Sequence, residues 1–389
     1  MTRSAYRGTR RKGTRRRSGR TAGPGLVLVA VAAVAGLATV AAAMASARQA
    51  DAAGQLTPRP RAEAAPGRMP ASPAVAPRAG HPKARSPADG RPRGTTTGRP
   101  GPATDSLVPA SGAYLGAYVQ PASYTSRGQI DAILGFERQL GRPLGLVHVY
   151  HPWDSPFPSA ADQHFVRGRK VLLLTWGGTP DTAAIIAGRY DALIRQRAAA
   201  VKSLGRPILM EFQHEMDRPN LLWAMHSPAD YIRAWDHIRA IFAAAGATNA
   251  SWVWCPTAYG FTVGRAQAFY PGNSEVDWVC ADAYSPSPSV PLSVTAGPFL
   301  SWAAHHPKPV IIGEFGVGGN PADWPAWLAG AGRLASQDPQ IKAMDYFSGD
   351  GTDSNGHPYA YAMTGHAAAI RAFAALLAEP QFGSRVPGA

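Results

Sequence analysis

From residue 112 onward, short apolar runs alternate with longer stretches in which apolar residues recur every three or four positions. The runs cover residues 114–120, 144–150, 170–176, 207–215, 250–256, 276–284, 309–316 and 341–348. Most are almost continuously apolar, KVLLLTW and PVIIGEF among them, as in parallel strands covered on both faces. The clearest helical stretch is SPADYIRAWDHIRAIFAAAG. Ser227 can cap it, Pro228 suits its first turn, and Asp230 sits three positions after the cap. Tyr231, Trp235, Ile238 and Phe242 then form one apolar stripe, and Gly246 ends it. Asn320-Pro321 followed by Asp323 predicts another helix start. Eight strand–helix pairs predict an α/β fold, the (β/α)8 or TIM barrel. An open doubly wound sheet is the alternative, but no Gly-x-Gly-x-x-Gly follows the first run.

Charge and composition divide the chain. The whole carries a formal charge of +14, yet residues 1–104 hold 19 basic and 3 acidic residues, against 20 and 22 for residues 105–389. The folded part is therefore near neutral, which argues against a nucleic-acid partner. Residues 1–25 read as a basic cytoplasmic segment. Residues 26–47, LVLVAVAAVAGLATVAAAMASA, are long enough to cross a bilayer, with the positive flank staying inside. This run reads either as a membrane anchor or as a signal peptide cleaved near Ala45-Ser46-Ala47. Residues 48–110 form a Pro- and Arg-rich linker expected to be disordered. The barrel is expected over residues 111–380, exported, and either secreted or held at the plasma membrane.

In a (β/α)8 barrel the chemistry belongs at the C-terminal ends of the strands. Glu215 ends the fourth run and Glu314 the seventh. A carboxylate ending a buried apolar strand is costly without a partner or a role. Two of them across a barrel mouth can flank a glycosidic bond, one as acid and base, the other as nucleophile. His148, His151 and His164, with Asp154 and Asp162, match no tetrahedral metal spacing, so no metal is expected and the rim histidines suit sugar hydroxyls.

His214-Glu215-Met216, the stretch SPADYIRAWDHIRAIFAAAGATNASWVWCP, and the segments YPGNSEVDWVCADAY and PVIIGEFG together resemble glycoside hydrolase family 26. The best-known members of that family are endo-β-1,4-mannanases. The resemblance covers about residues 112–375 and is strongest from 206 to 318. It implies a (β/α)8 barrel, retaining hydrolysis of a β-linked polysaccharide by two glutamates, and no cofactor. By resemblance Glu215 is the acid/base and Glu314 the nucleophile. His214 orients the acid/base or contacts sugar, Tyr284 hydrogen-bonds the nucleophile, and Asp282 lies in the cleft. Trp176, Trp254 and Tyr346 are candidate stacking surfaces, or else ordinary barrel-wall aromatics. His151 and Trp153 complete the candidate substrate-binding set, and the barrel is expected to act as a monomer.

Three departures from the family fall around the cleft. Glu211 stands where the family shows arginine. On an extended strand it would share a face with Glu215 and raise the pKa of that residue unless a cation answers it. Asp217-Arg218-Pro219-Asn220 replaces an Asn-Gly-Trp-like continuation, and Thr175-Trp176-Gly177-Gly178 lacks a Glu-Pro-Trp. A carbohydrate-binding barrel with little turnover is the alternative they raise. Cys255 and Cys280 fall on neighbouring strands, where two buried thiols are the expected state and a disulfide the alternative. Asp350 to Gly356 has the oxygen ligands of a calcium loop without its closing glutamate, so an ordinary polar loop is expected.

Overall fold

Eight parallel strands close on themselves in chain order: β1 (Tyr114–Val119), β2 (Leu146–Pro152), β3 (Val171–Gly177), β4 (Ile208–Phe212), β5 (Ala250–Trp254), β6 (Trp278–Ser285), β7 (Val310–Val317) and β8 (Ile341–Ser348), with β8 pairing back onto β1. The computed structural model describes residues 107–353 and 357–384. The basic segment, the anchor or signal run and the linker up to residue 106 lie outside the described residues. Among those described, no helix is long and apolar enough to cross a membrane. Packing begins slightly before the expected boundary, because Leu107 is buried with Tyr114, Leu146, Trp278 and Ile311 at the N-terminal end of the barrel interior. It also continues past residue 380, where Phe382 is buried and Gln381 O accepts from the Ala113 amide (2.7 Å).

The helix Pro228–Ala244 forms for the reasons its sequence gives. The Ser227 side chain accepts from the Asp230 amide, and Tyr231, Trp235, Ile238 and Phe242 face the sheet. Trp235 packs edge-on to Trp252 of β5 (centroids 5.6 Å apart), and its indole N–H donates to Glu275 O (3.1 Å). Trp235→Ala should cost about 3–5 kcal/mol of stability, seen as a lower denaturant midpoint in equilibrium unfolding. Asn320 caps the short 3-10 turn Pro321–Asp323, which leads into the helix Trp324–Gln337.

Side chains alternate between the barrel interior and the layer beneath the helices. On β3, Val171 and Leu173 point in, while Leu172, Leu174 and Trp176 point out. On β7 the alternation breaks. Ile312 opposes Met344 and Phe315 opposes Tyr346, so β7 carries one residue more than β8 between these pairs. The extra residue lies at Gly313–Glu314, since Ala281 opposes Ile312 and the next β6 residue, Asp282, opposes Glu314. Both Ile312 and Phe315 join the outer core, and the bulge between them turns Glu314 inward.

The stretch after β8 is not a plain loop. Asp350–Thr352 (β9) pairs antiparallel with Pro358–Ala360 (β10), and Tyr361 N donates back to Gly349 O (3.1 Å). This hairpin carries Tyr359 and Tyr361 toward the barrel mouth, where Tyr361 stacks on Tyr284 (5.0 Å).

Candidate active site

β4 ends at Phe212, earlier than the apolar run suggests, and the backbone turns sharply before Glu215. Gln213 and Glu215 both take left-handed conformations (φ 46° and 52°). Each costs on the order of 1–3 kcal/mol outside glycine, a strain commonly found where a side chain must be aimed. The Glu215 amide is anchored on Cys255 O (2.7 Å). The expected shared strand face of Glu211 and Glu215 is thus lost, since only Glu211 lies within the strand.

Glu215 is fully buried. Its Oε2 accepts from Arg218 Nη1 (3.0 Å), and its Oε1 has no hydrogen-bond partner among the described residues. Burial raises its pKa to about 8. The positive charge of Arg218 opposes that rise, and the carboxylates of Glu314, Asp217 and Glu211 add to it. Glu314 is surrounded differently. Tyr150 donates its hydroxyl to Oε1 (2.6 Å), and Tyr284 donates to Oε2. His214 Nε2 lies 3.9 Å from Glu314 Oε1, and burial lowers the pKa of His214 to about 4, so at neutral pH it is an uncharged neighbour. Asp282, register partner of Glu314 on β6, is pushed well above the ordinary range by burial and by Glu314 and Glu215.

The structure therefore brings Glu215, Glu314, His214, Asp282 and Tyr284 together at one end of the barrel. The remaining expected site residues lie elsewhere. Trp176 faces outward with no exposed surface, stacked on Trp153 at 4.0 Å. Trp254 is equally buried against Tyr270 and Trp302 (4.8 and 5.3 Å). Tyr346 packs edge-on to Phe315 and Phe373, its hydroxyl donating to Tyr361 O (2.9 Å). A ring with no free face cannot stack on a sugar, so these three are barrel-wall aromatics. Trp153 is held in the same outer layer, and His151 turns its Nε2 to Asp162 (2.9 Å) on the helix that follows β2. At this end of β2 the inward residue is Tyr150 and not His151, as strict alternation from His148 requires. Arg218, hidden in the segment read only as a departure, is the other site residue passed over.

Cys255 and Cys280 are joined as a disulfide, with a Cα–Cα distance of 4.3 Å, where two thiols were expected. Both side chains point into the barrel interior at one level, and Gly313 leaves them room. A Cβ at Gly313 would lie 2.4 Å from Cys280 Sγ and 2.8 Å from both Cys255 Sγ and Asp282 Oδ1. The residue before Glu314 thus has to be glycine for the disulfide, Asp282 and Glu314 to coexist. Glu211 shares this interior layer with the two sulfurs.

Residues 179–299 match the model of glycosyl hydrolase family 26. Among curated proteins, endoglucanase H of Acetivibrio thermocellus is 30% identical, with 55% of this chain and 25% of that protein covered. A β-1,3-xylanase of a Vibrio species is 29% identical, with 33% of this chain and 27% of that protein covered. The chain thus spans about a quarter of the length of the curated relatives it matches. Among solved structures, a family 26 β-mannanase of Bacteroides ovatus superposes with a TM-score of 0.53 at 13% identity, over 70% of this chain and 90% of that one. The catalytic domain of an endo-β-1,4-mannanase of a Bacillus species gives 0.53 at 14% identity, over 70% and 86%. At those identities the likeness bears on the fold alone.

Proposed function

From the membership of this chain in glycoside hydrolase family 26, we propose that it is an exported, retaining endo-β-glycosidase acting by a two-glutamate double displacement. The observation that carries this reading is the unlike surroundings of the two buried carboxyls. Glu215, with its pKa near 8 and a buried oxygen lacking a partner, is suited to hold a proton and give it to the leaving oxygen. Glu314, both oxygens fixed by phenol hydroxyls, is suited to attack the anomeric carbon. The covalent glycosyl–enzyme then reacts with water, and Glu215, ionised by the first step, takes the proton back. His214, Asp282 and Tyr284 line the space in which the sugar ring would sit.

The preferred substrate is a β-linked polysaccharide, with β-1,4-mannan first. A second reading, a β-glucan, is favoured by the 30% identity to a protein named endoglucanase. Exposed aromatic rings in segments that follow strand ends, Tyr124 after β1 and Trp223 on the short helix Leu222–Met225 after β4, offer flat faces for distal sugars. The disulfide suits an oxidising compartment and so supports export.

Incubation with mannan, glucomannan, lichenan, β-1,4-xylan and β-1,3-xylan, followed by sizing and early proton NMR of the products, tests this reading. Shortened oligosaccharides released first as the β-anomer are expected. Oligosaccharides bound but left intact would mean a binding barrel instead, and first-formed α-anomers would rule out double displacement.

A further inference from the structure

Beneath the two glutamates lies a buried group of ionisable side chains to which the catalytic scheme assigns nothing: His148 on β2, Glu211 on β4 and Asp345 on β8. His148 is 3% exposed, Glu211 1% and Asp345 0%. His148 Nε2 is 2.6 Å from Thr175 Oγ1 and 3.7 Å from Glu211 Oε2, and Nδ1 is 3.4 Å from Asp345 Oδ2 and 3.2 Å from the Tyr150 hydroxyl.

The number of available protons fixes the direction of these bonds. Thr175 has one hydroxyl hydrogen and gives it to Glu211 Oε2, so toward His148 it can only accept. Tyr150 likewise has one, given to Glu314 Oε1, so it too can only accept from His148. Both ring nitrogens must then carry hydrogen, and the ring is an imidazolium. Glu211 and Asp345 supply the opposite charge on either side.

We propose that His148 is a positioning residue whose buried cation, answering Glu211 and Asp345, fixes the Tyr150 hydroxyl on Glu314. The proposal rests on Glu314 being the nucleophile. A neutral ring lacking its Nδ1 hydrogen would become an acceptor 3.2 Å from Tyr150, and the hydroxyl could then turn away from Glu314. A cation on β2 gives Glu211 a buried counter-charge. The charged and titratable groups facing His148 are consistent with this. Burial alone lowers its pKa, but Asp345 and Glu211 outweigh burial and carry it up to about 10. The other faces present Glu314 through Tyr150, the uncharged His214, and the Tyr118 backbone amide, which donates to Asp345 Oδ2 (2.9 Å).

Two measurements test it. In protein labelled with 15N-histidine, one ring should keep both nitrogens protonated well above neutral pH, and its signals should vanish in His148→Gln. A ring at this site with a single protonated nitrogen at pH 7 would overturn the proposal. In kinetics, His148→Gln and Tyr150→Phe should each lower kcat by about tenfold with KM little changed. The double variant should be no worse than the poorer single one, because both act through one hydroxyl. Multiplicative losses would mean that His148 only supports the fold. A wild-type protein that cleaves no glycan in the panel would sink the hydrolase reading, and the NMR result would still separate a buried cation from a neutral ring.

Discussion

Glu314→Ala should lower the hydrolysis of an aryl β-glycoside by at least about 10⁴-fold, the loss expected when a covalent nucleophile is removed. No neighbour can replace it. Asp282 faces the same space but is held well above the ordinary carboxylate range by burial and by the other two acids, so it is a poor anion. Glu215 is the proposed proton donor and is tied to Arg218. The variant leaves a carboxylate-sized space lined by the Tyr150 and Tyr284 hydroxyls, which azide can enter. Attack from that side on an activated substrate should give the α-glycosyl azide, because the anion occupies the position of the missing carboxylate. Glu314→Gln, closer in shape, guards against reading misfolding as lost chemistry, and circular dichroism should match the wild type for both. Retained activity, or a β-azide from Glu314→Ala, would show the role to be misassigned.

How much of this site could be read from the chain follows from period and parity. The eight strands were legible because they are covered on both faces and most are therefore almost continuously apolar, which also made their ends visible to within a few residues. The helix Pro228–Ala244 was legible because cap, proline and stripe all agree. Parity was available too, and it separates Tyr150, Thr175 and Asp345, which face inward, from His151, Trp176 and Tyr346, which do not. Proximity to a strand end was the weaker guide, and it drew Trp176, Trp254 and Tyr346 into the candidate set. Parity itself fails at β7, where the bulge at Gly313 inverts it, and no local propensity marks that bulge except the glycine.

Other features depend on contacts between distant segments. That Arg218 reaches back to Glu215 follows from two left-handed residues in a row of three, Gln213 and Glu215, which no pattern of apolar positions encodes. The disulfide depends on how closely β5 and β6 approach next to a glycine on β7. The hairpin β9–β10 was obscured because Asp350–Thr352 is exposed and carries no apolar alternation. Glu211 was visible as an anomaly, but its cation was not. The residue that answers it lies 63 positions earlier and reads in isolation as one more histidine near a strand end.

Glu215→Ala should have an effect that depends on the leaving group, and this separates an acid/base from a residue that merely shapes the cleft. With an oligosaccharide, whose departing oxygen needs a proton, kcat/KM should fall by about 10²–10⁴-fold. With a dinitrophenyl glycoside, which leaves without a proton, formation of the glycosyl–enzyme should be nearly unaffected. The intermediate should then accumulate, because water lacks a base. Azide needs no base, so it should restore turnover and give the β-glycosyl azide, the opposite anomer to that from Glu314→Ala. The pH profile carries the same signature. The folded-state pKa of Glu215 is raised to about 8, so the proton it must donate is present below that value and lost above it. For the wild type, kcat/KM on an oligosaccharide should therefore fall as pH rises through about 8, and in Glu215→Ala that alkaline limb should disappear. A limb that persists in the variant would belong to another group, and the assignment of the acid would fail with it.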